Sequence, residues 1–121
     1  MTELTGTKTQ LESSIESAEF SRTQIDGYSI VVSQGGAPAR GSNGVTSSRQ
    51  ATGEYLVTFP QNVDIWLWLA TLAPANAVAQ QPGMITVELE NMTTASLRVR
   101  TFNMAGAATD RPFHLHVRKI Q

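Results

Sequence analysis

The sharpest chemical candidate in the sequence is His114-Leu115-His116, which holds both histidines of the chain. On a strand, residues two apart project to the same side, about 6–7 Å from one another. Neutral imidazole suits iron and nickel alike, and three such pairs around a threefold axis would offer six nitrogens to one ion. Within one chain, the pair reads more simply as an outward polar stripe of His114, His116 and Arg118 opposite a core stripe. No cofactor is expected of an isolated subunit, and an iron or nickel ion only if His114 and His116 stand on a trimer axis.

Other chemistry-bearing pairs have structural readings that account for them. Trp66 and Trp68 could stack on a sugar ring, but they sit in an apolar run, so burial in the fold or between subunits is expected. Glu88 and Glu90 form a carboxylate pair, yet strand alternation explains them, and Arg98 and Arg100 on a neighbouring strand would pair with them across the sheet. Asp110, entering a strand before Arg111-Pro112, suits a hydrogen bond to turn backbone. No Gly-x-Ser-x-Gly elbow is present. The glycines of residues 35–44 are not followed by Lys-Ser/Thr and a helix, so they form no phosphate loop. With no cysteine, disulfides, thiolate zinc sites and cysteine nucleophiles are excluded. An enzyme is not expected.

The elements that position these residues read as strands. A β-branched run, Tyr28-Ser29-Ile30-Val31-Val32-Ser33, follows the turn residues Asp26-Gly27. Residues 35–44 carry five glycines or prolines among them, counting Gly35, Gly36, Pro38, Gly41 and Gly44, and read as a mobile loop. Gly35, Arg40 and Asn43 are the candidate contacts there, where a receptor would meet it. Residues 45–50 suit a polar edge strand. Tyr55, Val57 and Phe59 share one face of the next strand. In the segment 64–71, Ile65, Leu67 and Leu69 lie on one side and Trp66 and Trp68 on the other. An antiparallel strand with one wet face should alternate apolar and polar residues, so something must cover the second face of this one. A subunit interface through Trp66 and Trp68 is the expectation. Ile85, Val87 and Leu89 then alternate with Thr86, Glu88 and Glu90. Leu97, Val99 and Thr101 alternate with Arg98, Arg100 and Phe102, and Phe113, Leu115 and Val117 face inward on the last strand. The fold expected is all-β, an antiparallel β-sandwich or jelly roll of about six to eight strands.

Residues 1–24 differ from the β-domain of residues 25–121. Leu4, Leu11, Ile15 and Ala18 fall in a heptad-like stripe, with Glu12, Glu16 and Glu19 off it. Thr9 suits an N-cap with Glu12 as its capping-box partner. A helix of two heptads is marginal alone in water, so this short helix, or extended arm, must dock on its own domain or bundle with neighbours. Leu11 and Ile15 are its candidate interface residues.

Charged residues make up 16% of the 121-residue chain, against roughly 25% in an ordinary soluble domain, which suits strands and subunit contacts. A net charge of −1 gives no electrostatic case for nucleic acid or an anionic membrane. The first residues lack a signal-peptide pattern, and the apolar stretch 65–79 is broken by Thr71, Pro74 and Asn76. Synthesis in the host cytoplasm without membrane insertion is expected.

Several segments resemble a module found in C-terminal regions of phage tail-fibre-like proteins and uncharacterised bacterial proteins. They are Thr52-Gly53-Glu54-Tyr55-Leu56-Val57-Thr58-Phe59, Trp68-Leu69-Ala70-Thr71-Leu72, Val99-Arg100-Thr101-Phe102-Asn103 with Gly106, and Asp110-Arg111-Pro112-Phe113-His114-Leu115. Together they span residues 52–117. The resemblance implies a β-rich subunit, a homotrimer, at the surface of a virion or phage-like particle and in contact with other proteins of that assembly. Some phage fibres and spikes carry a similar His-x-His arrangement along the axis. The chain departs from a free-standing tail fibre in having no long shaft. A tail-fibre tip or adaptor with a receptor-binding role is the leading expectation. A capsid decoration (cement) protein and a soluble lectin-like trimer, recognising a cell-surface glycan, are the alternatives.

Overall fold

A computed structural model describes residues 26–76, 78–91 and 93–120. The anticipated N-terminal helix or arm, with Leu11 and Ile15, lies outside the described residues. Within them the chain is all-β and has no helix. Eight antiparallel strands run in order: β1 (Gly27–Val32), β2 (Pro38–Gly41), β3 (Thr46–Ala51), β4 (Glu54–Thr58), β5 (Leu67–Leu72), β6 (Met84–Leu89), β7 (Ser96–Phe102) and β8 (Phe113–Arg118). The first sheet has the order β2-β1-β8-β5 and the second β3-β4-β7-β6, together forming a β-sandwich.

The alternation of side chains builds the core between the sheets. Ile30, Val32, Phe113, Leu115 and Val117 from the first sheet meet Tyr55, Val57, Leu97 and Val99 from the second, all buried. Ile85, Val87 and Leu89 of β6 pack at the margin. Tyr55 and Phe113 meet edge-on with ring centroids 5.1 Å apart, a geometry aromatic quadrupoles favour. The edge strands β5 and β6 lie beside each other, so β5 to β8 follow the spatial order 8-5-6-7, a Greek key.

Two local features differ from the sequence reading. Residues 35–44 are not one open loop, because Pro38–Gly41 pairs with β1, Val32 opposite Pro38 and Ile30 opposite Gly41. All four residues are exposed, so no alternation announces the strand. A proline at the first position of an edge strand removes no needed ladder bond. Asp26-Gly27 is likewise not a turn: Gly27 pairs with Arg118, and the Lys119 amide donates to the Asp26 carbonyl at 2.7 Å.

Candidate interaction face

The outward side chains of the first sheet come from alternate positions of three strands. On β1 these are Ser29 and Val31, on β8 His114, His116 and Arg118, and on β5 Leu67, Leu69 and Thr71. The register sets them in rows. His116 lies between Ser29 and Leu69, His114 between Val31 and Thr71, and Arg118 between Gly27 and Leu67. A shallow groove of about 470 Å³ follows β8, lined among others by Val31, Leu69, His114 and His116. Leu67 is 44% exposed, Leu69 55% and Ile65, in the turn leading into β5, 76%. A contiguous apolar strip of this kind on one side of a small domain marks a place for a partner.

The segment 64–71 is thus apolar on both sides, as anticipated, but the sides are assigned the other way round. Trp66 and Trp68, expected at a subunit interface, face the interior. Trp66 is 8% exposed and stacks on Tyr28, the centroids 5.8 Å apart and the planes 11° from parallel. Trp66 precedes β5 in a turn closed by its amide on the Val63 carbonyl. Trp68 is opposite the buried Val117, and its indole N–H donates to the Val63 carbonyl at 2.8 Å. The tryptophans are drawn inward because they offer the larger apolar area and their N–H groups find acceptors there. The aliphatic residues are left outside.

The imidazoles are on one face as the strand spacing requires, and each has a partner. His114 Nε2 lies 3.1 Å from the Pro74 carbonyl. A carbonyl only accepts, so Nε2 carries the proton and Nδ1 holds the free lone pair. His116 Nδ1 shares a 2.7 Å hydrogen bond with the Ser29 hydroxyl. Among the described residues of one chain, no three His, Cys, Asp or Glu side chains converge as a metal centre would need.

The remaining candidates do not join this face. Gly35 and Asn43 flank the two ends of β2, and Arg40 between them donates to the Ala75 carbonyl at 2.8 Å, so the three do not converge on one site. On the outer face of the second sheet, the expected charge pairs form, joined by Glu54 of β4, which sequence reasoning did not single out. Arg98 contacts Glu90 at 2.6 Å and Glu54 at 2.9 Å, and Arg100 contacts Glu88 at 2.5 Å and Glu54 at 3.5 Å. The hydrogen bond from Arg98 holds the Glu90 carboxyl below its ordinary range, and Glu90 in turn raises the Arg98 guanidinium.

Asp110 bonds turn backbone, as expected, but of a distant turn. Its carboxylate accepts from the Gly53 amide at 2.6 Å and from Arg49 Nε at 2.9 Å. Gly53 has φ +66°, and a Cβ there would meet the Thr101 carbonyl oxygen at 2.5 Å, so only glycine fits this hairpin turn. Nearby, burial and then the Asp110 charge push the Tyr55 hydroxyl up to about 12, and it donates to the Gln34 carbonyl at 2.7 Å.

No family model, curated protein or solved structure matches the chain.

Proposed function

We propose that the chain is a non-enzymatic structural subunit of a phage or phage-like assembly. In this reading it is a homotrimeric β-sandwich, serving as a tail-fibre tip or adaptor at the particle surface. The observation that carries the self-packing part is the outer face of the first sheet, where Leu67 and Leu69 stand half exposed beside Val31. Covering such side chains stabilises association by roughly 25 cal/mol per Å² of apolar surface removed from water. The phage-like part rests on the resemblance of residues 52–117 to tail-fibre-like modules. The inward tryptophans favour this reading over a lectin-like one, whose sugar-stacking rings would have to be open to solvent.

Light scattering tests the self-packing. The expected mass is about three times the 13.1 kDa of one chain, and Leu69→Arg, which sets a charge in the strip, reduces it to one. A wild-type mass of 13.1 kDa in dilute neutral buffer overturns the reading. Neighbouring reading frames that encode tail components support the tip or adaptor role, and capsid components would replace it with a decoration role.

A further inference from the structure

The outer face of the first sheet has an apolar side, formed by Leu67 and Leu69 on β5, and a cationic end, formed by Arg118. The sequence holds one segment of matching chemistry outside the described residues. In residues 9–20, Leu11, Ile15 and Ala18 form a stripe flanked by Glu12, Glu16 and Glu19. The dimensions also correspond. As a helix these twelve residues span about 18 Å and have a diameter of about 10–12 Å. The six-residue strands run about 20 Å, and β1 and β5, on either side of β8, are about 10 Å apart.

The path of the chain bears on which copy supplies the segment. At Asp26 the backbone is still laddered to Lys119, so it leaves the sandwich in line with β1. To fold back on its own face, it would have to reverse within Ser21-Arg22-Thr23-Gln24-Ile25, which contains no Gly, Pro, Asn or Asp, the residues that make turns. Continuing outward carries the stripe to a neighbour.

We infer that residues 9–20 of one copy lie across the outer face of the first sheet of a second copy. Leu11 and Ile15 rest on Leu67, Leu69 and Val31, and the glutamates face the Arg118 end. This rests on the self-packing reading and names what packs: an exchanged arm rather than two sheets face to face. The interior stays as described, and the groove along β8 is the seat.

The chain has no cysteine, so engineered thiols report contacts without background. A disulfide forms only where the two Cα atoms come within about 7 Å. Differently tagged Ile15→Cys and Leu69→Cys chains are co-expressed, oxidised and separated without reductant. A second pair, Leu11→Cys with Leu67→Cys, allows for a small shift of register. Ser48→Cys, on the outer face of the second sheet, is the control partner. The expected product is a covalent dimer of the two different chains for at least one pair, and none with Ser48→Cys. If wild type is multimeric but neither pair cross-links, or Ser48→Cys cross-links equally, the arm exchange is overturned and self-packing stands. A predominance of Ile15-to-Ile15 bonds between the cysteine variants overturns it too, in favour of a bundle. An internal disulfide in the Ile15→Cys/Leu69→Cys chain, with a scattering mass of one chain, overturns both the arm exchange and the self-packing.

Discussion

Replacing Trp66 by alanine and, separately, Leu69 by serine separates the two sides of one apolar segment. Trp66 is 8% exposed and stacked on Tyr28, whereas Leu69 is 55% exposed. Truncating a buried tryptophan costs about 3–5 kcal/mol, from lost transfer energy and the cavity left behind. An exposed position away from packing changes stability by less than about 0.5 kcal/mol. At roughly 4 °C per kcal/mol for a domain of this size, Trp66→Ala lowers the melting temperature by on the order of 12–20 °C, and Leu69→Ser by about 2 °C at most. The assay is thermal unfolding followed by circular dichroism. It is run at several protein concentrations, because self-association makes the melting temperature concentration-dependent. The Leu69→Ser loss is read in the dilute limit, while the Trp66→Ala loss persists at every concentration. A Trp66→Ala protein that melts within a few degrees of wild type refutes the inward assignment, most plainly if dilute Leu69→Ser shows the large drop.

Gly53→Ala places a Cβ against the Thr101 carbonyl at a left-handed φ. It is expected to cost about 1–3 kcal/mol, seen as a lower urea midpoint with unchanged slope. The Glu90 carboxyl is held low by Arg98, so its folded pKa lies below its unfolded value. Its stabilisation is present above the unfolded pKa of about 4.3 and is lost as pH falls through the folded value. Chemical denaturation between pH 6 and pH 3 should therefore show a decline that Glu90→Gln makes shallower.

What the sequence reveals follows the range of the interactions. Ile85, Val87 and Leu89 alternate with polar residues within one strand, so their inward direction follows from local pattern alone. Residues 64–71 are apolar on both sides, and their orientation depends on Tyr28, whose ring stacks on Trp66. Strand β2 is invisible locally because it buries nothing and exists through the backbone edge that β1 offers it. Charge pairing of Arg98 with Glu90 is legible from a hairpin. The share taken by Glu54, and the reach of Asp110 to Gly53, join residues distant in sequence and follow only from the strand order. For the interaction face, an apolar segment needing cover was legible, and which of its sides needs it was not.

Strand β8, the last of the eight, sits between β1 and β5 and supplies the buried Phe113, Leu115 and Val117. During synthesis, then, the first sheet has no middle until residues 113–118 have left the ribosome. Until that moment β1 and β5 each present an unpaired inner edge and a half-built core, the condition in which strands join other chains. A nascent chain paused before residue 113 is therefore the aggregation-prone form of this protein. Folding begins in earnest only with the strand made last, which selects for rapid completion of the C-terminal segment.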